Sequence, residues 1–146
     1  MKNSVKRALI VTAAFALLAA LPVPASAADP TGLWITQDGD AKIRISNCGG
    51  AICGTLTWLK DPNDASGKPK LDRNNTDTSK RNRPLVGVPI VLSMKPDGVD
   101  KWSGQIYNAE DGKTYGGSFT LAGANKAEVK GCVMIVCKTK TWTRTN

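Results

Sequence analysis

Short stretches in which hydrophobic and polar residues alternate recur along most of the chain after residue 28, while helical periodicity is almost absent. Between Lys42 and Asn47, for example, Ile43 and Ile45 alternate with polar neighbours, which is the period of two typical of a half-buried strand. Turn-forming residues such as Gly, Asn and Asp separate these stretches. The pattern predicts eight strands, at Gly32 to Gln37, Lys42 to Asn47, Cys53 to Leu59, Leu85 to Leu92, Lys101 to Tyr107, Thr114 to Leu121, Lys126 to Cys132 and Cys137 to Arg144.

Tight turns join most of these predicted strands, so neighbours in the chain are expected to pair antiparallel. An open sheet would leave two unpaired edges, whereas a closed barrel leaves none. We therefore expect an all-β fold, an eight-stranded antiparallel up-and-down barrel whose interior holds side chains or one small ligand. The connection over residues 60–84 is longer than most connections inside a domain, and such loops are typically functional lids or disordered segments.

The N-terminal part of the chain follows a different pattern. It has the three parts of a secretory signal peptide, which are a basic start at Lys2, Lys6 and Arg7, an apolar run from Ala8 to Val23, and the small residues Ala25-Ser26-Ala27. We predict a cleavable signal peptide over residues 1–27 and one mature, exported domain over residues 28–146. A membrane-spanning anchor is disfavoured, because Pro22 and Pro24 interrupt the apolar run before it reaches about 20 residues.

The chain carries a formal net charge of +8, and removal of the three basic residues of the signal peptide, which has no acidic ones, lowers it to +5. The remaining excess is concentrated in residues 60–83, where basic residues outnumber acidic ones seven to four. We expect a solvated loop there, or a basic lid that attracts an anionic partner. The candidate lid residues are Lys68, Lys70, Arg73, Arg81 and Arg83. Nucleic acid is not an expected partner of an exported protein.

The four cysteines form two pairs with the same spacing, Cys48 with Cys53 and Cys132 with Cys137. Export would place them in a compartment where disulfides persist. Four cysteines allow three pairings, and the position of each pair at a predicted hairpin end favours the two local bridges. No metal or other cofactor is expected, because the chain has no histidine and a four-thiolate zinc site would compete with oxidation.

The absence of histidine also excludes Ser-His-Asp and Cys-His catalytic arrangements. The carboxylates of the loops are expected to form turns, so we predict that the protein is not an enzyme. Most aromatic side chains on the predicted strands are expected to be core, with one or two lining a ligand cavity. The candidate lining residues are Trp58, Trp102, Tyr107 and Tyr115.

The turn between the last two cysteines is unusual, because Val133 to Val136 puts four consecutive apolar residues where hairpin turns are normally polar. The favoured interpretation is that this turn packs against the end of the barrel. The alternative is an exposed apolar tip that contacts a membrane or a partner.

Several short motifs resemble the family of small secreted bacterial proteins known as domain of unknown function 2147. In chain order they are Gly32-Leu33-Trp34, Cys48-Gly49-Gly50, Ile52-Cys53-Gly54, Asp72 with Asn74-Asn75, Arg83 to Gly87, Trp102 to Tyr107, Asp111 to Tyr115 and Thr141 to Arg144. The family usually has Pro after the second Asn of the Asp-x-Asn-Asn motif, where this chain has Thr76. The resemblance implies a lipocalin-like, calycin-type barrel, in agreement with the strand count.

The resemblance also implies a role for the two ends of the chain. In calycins a Gly-x-Trp near the first strand packs under an arginine of the last strand, so Gly32, Trp34 and Arg144 would form a structural clasp that closes the barrel base. An arginine stacked on an indole contributes on the order of 1 kcal/mol or more when desolvated.

The resemblance implies no activity, and a fold alone does not determine one. Two hypotheses remain. In the first, the protein carries a small apolar or amphipathic ligand in the barrel mouth, and the basic lid favours an anionic head group. In the second, it is an interaction module that binds an anionic component of the cell envelope or a surface partner through the basic 60–83 loop and the apolar 133–136 tip.

Overall fold

The computed structural model describes residues 21–22 and 28–146, so the predicted signal peptide lies outside the described residues apart from Leu21 and Pro22. Within the described residues the chain forms eight strands, which are β1 (Gly32–Ile35), β2 (Ala41–Asn47), β3 (Ile52–Leu59), β4 (Pro89–Pro96), β5 (Lys101–Asn108), β6 (Lys113–Leu121), β7 (Lys126–Val133) and β8 (Val136–Thr145). A short 3-10 helix at Thr78–Lys80 lies in the connection between β3 and β4.

The strands pair antiparallel in chain order, and β1 closes the barrel against β8. Trp34 of β1 pairs with Ile43 of β2 on one side and with Arg144 of β8 on the other. The expectation of an all-β, eight-stranded up-and-down barrel is confirmed.

The predicted bounds of β4 are wrong, whereas those of the other strands differ from the observed bounds by no more than two residues. β4 begins at Pro89 rather than Leu85, because the residues before Pro89 belong to the long connection. Ser93 has a φ of 45° and the register with β5 shifts between Leu92 and Lys95. This bulge breaks the alternation on which the prediction depended.

Aromatic rings fill the barrel at the end where β1 begins and β8 ends, which we call the closed end. The ring centroid of Phe119 lies 5.4 Å from that of Trp34, 6.2 Å from that of Trp102 and 6.3 Å from that of Trp142, each in an edge-to-face arrangement. Such pairs add about 0.5–1.5 kcal/mol to the burial of their apolar surface. Aliphatic side chains complete this core, among them Ile43, Ile45, Ile52, Leu56, Val91, Met94 and Val129. We call the opposite end, with the β1–β2, β5–β6 and β7–β8 turns, the open end.

Both local disulfides are present, Cys48–Cys53 at the closed end and Cys132–Cys137 at the open end. Structural disulfides are typical of proteins from oxidising compartments. Among the described residues no group of three or more His, Cys, Asp or Glu side chains is placed to hold a metal ion. The described part of the chain also has no helix with the length and apolar character needed to cross a bilayer.

Candidate functional site

The long connection between β3 and β4, residues 60–88, is folded rather than open, and we call it the β3–β4 segment. Isolated β-bridges join Asn63 to Pro69 and Leu71 to Pro84. Next to the second bridge, the backbone N–H of Asp72 donates to the carbonyl of Arg83 at 2.9 Å. The segment therefore turns back on itself and brings residues 72 and 83 side by side.

Around Asp72 and Arg83 the β3–β4 segment packs against the outside of the barrel, whereas its last residue, Val88, belongs to the core. Val91 and Ile106 pair across β4 and β5, and both belong to the core or pack against it. Successive side chains of a strand point to opposite faces, so Leu92 and Tyr107 point outward, as does Thr114, which pairs with Tyr107. Tyr107 contacts Asp72 of the segment, and Leu92 and Thr114 line a cavity together with residues of the segment. The segment therefore covers the outer wall of β4, β5 and β6 near the open end.

A buried carboxylate attaches the segment to this wall. Asp72 is fully buried and accepts hydrogen bonds from Tyr107 Oη at 2.5 Å, Asn75 Nδ2 at 2.8 Å and Arg83 Nε at 2.9 Å. Arg83 Nη2 lies 2.8 Å from the same carboxylate and completes an ion pair. A buried charge is tolerated only when it is paired and hydrogen-bonded, and Asp72 meets both conditions.

The phenol of Tyr107 is held in its neutral form by this arrangement. Burial and the hydrogen bond to the Asp72 carboxylate raise the pKa of Tyr107 from 10.0 to about 12. Tyr107 is therefore a hydrogen-bond donor to Asp72 throughout the physiological pH range.

The β5–β6 turn provides a second attachment for the segment. Asn74 Nδ2 donates to the carbonyl of Glu110 at 2.8 Å, and the backbone N–H of Thr76 donates to the carbonyl of Gly112 at 3.2 Å. Gly112 has a φ of 72°, and a Cβ atom there would lie 1.6 Å from the carbonyl oxygen of Asn74. Only glycine allows the segment and the turn to approach so closely.

A cavity of about 220 Å³ remains between the segment and the wall. Lys80 and Arg83 line it from the segment, and Pro89, Leu92, Tyr107 and Thr114 line it from the wall. Lys80 Nζ lies 3.3 Å from Asp77, and both of these side chains are about half exposed. Arg83 uses Nε and Nη2 for Asp72, and its Nη1 has no partner among the described residues. The cavity thus combines two cations, the carboxylate of Asp77, hydroxyl groups and an apolar wall.

The four aromatic residues predicted to line a cavity do not come together. Tyr107 lines the cavity, and Trp102 packs against Phe119 in the core. Trp58 is exposed, with the ammonium of Lys42 5.5 Å from its ring centroid. Tyr115 lies in the open half of the barrel, where its hydroxyl donates to Asp111 and this hydrogen bond raises the pKa of Tyr115.

Of the candidate lid residues, Arg83 lines the cavity and the others do not. Arg81 Nε donates to the carbonyl of Asn75 at 2.7 Å, and Arg73 lies 3.9 Å from Asp64 on the surface. Lys68 is exposed and Lys70 is partly exposed.

Lys80 lines the cavity although it was not a candidate. It lies on the 3-10 helix that Asp77 caps by accepting a hydrogen bond from the backbone N–H of Ser79. An Asp followed by Thr and Ser is a recognisable N-cap signal, and it could have located this residue.

Gly32, Trp34 and Arg144 meet at the closed end. The guanidinium carbon of Arg144 lies 4.4 Å from the ring centroid of Trp34. Gly32 has a φ of 132°, and a Cβ atom there would lie 2.7 Å from Arg144 Nη1. The guanidinium also donates to three backbone carbonyls, Nε to Ala124 at 2.9 Å, Nη2 to Asp29 at 2.8 Å and Nη1 to Thr31.

The favoured interpretation of the last turn is wrong, because residues 133–136 do not pack against the barrel. The side chains of Met134 and Ile135 are 94% and 96% exposed, and those of Val133 and Val136 are more than half exposed. β7 and β8 keep their pairing up to Val133 and Val136, so the hairpin holds the four apolar residues at its tip.

A closed eight-stranded antiparallel barrel is the architecture of lipocalin-like proteins. The fold is similar to that of protein HP1028 from the human pathogen Helicobacter pylori, which is described as belonging to the lipocalin family, with a TM-score of 0.71. The two proteins are 23% identical over 82% of this chain and 84% of that chain.

The chain belongs to the family DUF2147, described as uncharacterized proteins conserved in bacteria, whose model matches residues 32–144. A comparison with curated proteins finds no match.

Proposed function

We propose that the protein binds a small organic molecule with an acidic group, without catalysis, in the cavity between the β3–β4 segment and the outer wall. The observation that carries this proposal is the 220 Å³ cavity with Lys80 and Arg83 on one side and Leu92 on the other. Ligand cavities usually measure about 300–1,000 Å³. The volume of this cavity lies below that range, so the ligand is small.

The charges of the lining favour an acidic ligand. Arg83 Nη1 can donate to a carboxylate or phosphate without disturbing the ion pair with Asp72, because a guanidinium has five N–H donors. Asp77 already lies beside Lys80, so an anionic ligand competes with Asp77 for the ammonium. Pro89 and Leu92 provide the apolar surface for the rest of the molecule.

The location of this site differs from the barrel mouth expected from the sequence. The aromatic cluster around Phe119 occupies the closed half of the barrel, and the β3–β4 segment lies on the outer wall. A lipocalin-like fold supports small-ligand binding as a class but determines neither the ligand nor its position.

A second cavity, of about 300 Å³, lies at the closed end beside Ala28, Leu121 and Arg144. Each nitrogen of its single cation already makes a hydrogen bond, because Arg144 donates to backbone carbonyls from Nε, Nη1 and Nη2, and Asp29 also lines this cavity. The first cavity has two cations, and Nη1 of its Arg83 makes no hydrogen bond among the described residues, so it is the better candidate.

Amide shifts measured by NMR during titration with benzoate, phenyl phosphate and the neutral benzamide test the proposal. The two anions should shift the resonances of Thr76, Leu92 and Thr114, and benzamide should bind at least about tenfold more weakly, since it lacks the charge. Lys80→Gln should weaken the binding of the anions about fivefold, the factor that a partly exposed charge contributes.

Lys68→Gln is the matched control, because Lys68 is an exposed lysine of the same segment that does not line the cavity. Leu92→Ala should weaken both anions and benzamide, with Val99→Ala at an exposed site as its control. The proposal fails if neither anion shifts the cavity resonances, or if Lys68→Gln weakens binding as much as Lys80→Gln.

A further inference from the structure

We propose that the β7–β8 hairpin docks the protein on a bilayer of anionic phospholipids, with Met134 and Ile135 inserted among the acyl chains. This inference does not depend on the cavity, which lies on a different part of the barrel wall. The hairpin tip is defined as residues 133–136 and the arm behind it as residues 129–132 and 137–140.

The fold itself gains nothing from the apolar character of the tip. Met134 and Ile135 are almost fully exposed, so they contribute no burial. Met134 also has a φ of 52°, a conformation that costs a side chain about 1–2 kcal/mol and that Gly or Asn usually occupies in two-residue hairpin turns. Ile135 does not share this positive φ, so a turn with Gly at position 134 and a polar residue at position 135 would suit the isolated protein better. A contact outside the molecule therefore accounts for the residues that are present.

The arm behind the tip is basic and contains no acidic residue. Cross-strand pairing of Gly131 with Lys138 and of Val133 with Val136 puts Lys138 on the same face as the two valines. Lys130 lies on the opposite face. Neither lysine takes part in an ion pair among the described residues, whereas Lys140 is paired with Asp38 at 2.8 Å. Each face of the hairpin therefore carries one ammonium group without an ion-pair partner behind the apolar tip.

The spacing of these groups matches the layers of a bilayer. Lys138 lies three residues behind Ile135, which is about 10 Å along a strand. The headgroup region of each leaflet is roughly 5–7 Å thick, and the flexible stem of a lysine lets its ammonium reach back to that layer. Insertion of Met134 and Ile135 into the hydrocarbon region thus brings Lys130 and Lys138 to the level of the phosphates.

A bilayer fits this surface better than a folded protein does. A stable protein interface buries about 800 Å² and 20–30 residues on each partner, and four side chains on one turn provide far less. A bilayer needs no complementary surface, because inserted apolar groups and attracted lysines each contribute on their own. The Cys132–Cys137 disulfide closes the hairpin directly behind the tip and holds the four side chains together.

Flotation with lipid vesicles tests this inference on protein that a bacterial host has exported, with its N-terminus determined by mass spectrometry. The protein should bind vesicles of phosphatidylglycerol and phosphatidylethanolamine and should not bind neutral phosphatidylcholine vesicles. The double variant Met134→Ser/Ile135→Ser should bind at least about tenfold more weakly. Lys130→Gln and Lys138→Gln should each weaken binding about fivefold, which corresponds to the roughly 1 kcal/mol expected for each basic residue near an anionic surface.

Val99→Ser and Lys68→Gln are the controls, because each removes an exposed side chain of the same kind away from the hairpin. The tip variants should retain the melting temperature of the parent protein, which shows that the barrel is intact. The inference is overturned if the exported protein binds neither kind of vesicle, binds both equally, or binds the anionic vesicles equally well after Met134→Ser/Ile135→Ser. Retention of benzoate binding by the tip variants would separate the failure of this inference from a failure of the cavity.

Discussion

Two arginines, Arg83 and Arg144, stabilise different parts of the molecule, and each does so by donating several hydrogen bonds. Arg144 donates to three backbone carbonyls and stacks on Trp34, and Arg83 pairs with the buried carboxylate of Asp72. A guanidinium suits both positions, since its fixed fork of donors satisfies several acceptors at once. Lysine at either position would leave some of these acceptors without a donor.

The clasp of Gly32, Trp34 and Arg144 is expected to contribute to the free energy of unfolding. Trp34→Ala should lower the free energy of unfolding by about 3–5 kcal/mol, the usual cost of removing a buried aromatic side chain, and Arg144→Ala by about 1–2 kcal/mol. Chemical denaturation measures both values. Arg44→Ala, at an exposed arginine of β2, is the control and should change the value by less than about 0.5 kcal/mol. Wild-type stability in both clasp variants would show that the clasp does not contribute.

A second prediction at this scale concerns alkaline pH. The pKa of Tyr107 is raised from 10.0 to about 12, so the folded protein holds the phenol proton more tightly than the unfolded chain. The resulting stabilisation is fully present below about pH 10 and is lost as the pH rises through about 12. Tyr107→Phe should therefore be less stable at neutral pH, by about 1–3 kcal/mol because Asp72 loses a donor, and its stability should fall less steeply in this window.

Denaturant titrations of wild type and Tyr107→Phe between about pH 9 and pH 12 measure this difference, since the two proteins differ only in the hydroxyl group of residue 107. Parallel pH profiles for the two proteins would contradict a raised pKa of Tyr107.

The long β3–β4 connection behaves as an additional structural layer on the barrel. Four of the eight motifs through which the chain resembles its family lie where this segment meets the wall, and they contain Asp72 with Asn74-Asn75, Arg83, Tyr107 and Gly112. The backbone N–H of Thr76 bonds to the carbonyl of Gly112, a contact that a proline at this position could not make. These four motifs therefore contain the residues that attach the β3–β4 segment to the barrel wall.

The close approach of the segment to the β5–β6 turn predicts that one methyl group added at Gly112 weakens this attachment. Gly112→Ala should displace the segment from the β5–β6 turn, because the new Cβ would overlap Asn74 and the φ of 72° disfavours any side chain. Hydrogen exchange should accelerate over residues 72–83 by at least about tenfold, with smaller changes in β7 and β8. Gly116→Ala is the matched control, since a Cβ there meets nothing within 4 Å. Equal exchange in the two variants would contradict this account of the attachment.

The alternation of hydrophobic residues predicted the strands well, because each strand contacts its neighbour in the chain through a short turn. β4 was the exception, since its bulge at Ser93 breaks the period of two. The candidate site was harder to predict. Its cavity depends on the long-range pairing of Asp72 with Tyr107, 35 residues apart, and no local pattern specifies which wall of the barrel a long connection covers.

At the scale of the whole molecule, the three notable features occupy separate regions. The aromatic core and the clasp lie at the closed end, the cavity lies on the outer wall of β4 to β6, and the apolar tip lies at the open end. Substitutions in one region are therefore expected to leave the others unchanged, because sites that share no contacts have nearly additive effects.

The predicted signal peptide leads to a testable prediction about the molecule as a whole. Protein expressed with its complete N-terminus in a bacterial host should be recovered with Ala28 as the first residue, because Ala25-Ser26-Ala27 is the expected cleavage site. The backbone nitrogen of Ala28 lies 3.3 Å from Asp100 Oδ1, so cleavage there would place the new α-amino group beside a carboxylate. Intact-mass spectrometry of the periplasmic fraction measures the N-terminus, and retention of residues 1–27 would contradict the predicted signal peptide.

The closure of the barrel by its first and last strands has a consequence for folding. Leu33 pairs with Thr145, so the final seam cannot form until the chain up to residue 145 has been released from the machinery that makes or moves it. Contacts between such distant residues are also slow to form. Until then one edge of β1 stays unpaired. The local hairpins, including the two that are closed by disulfides, can form before the seam.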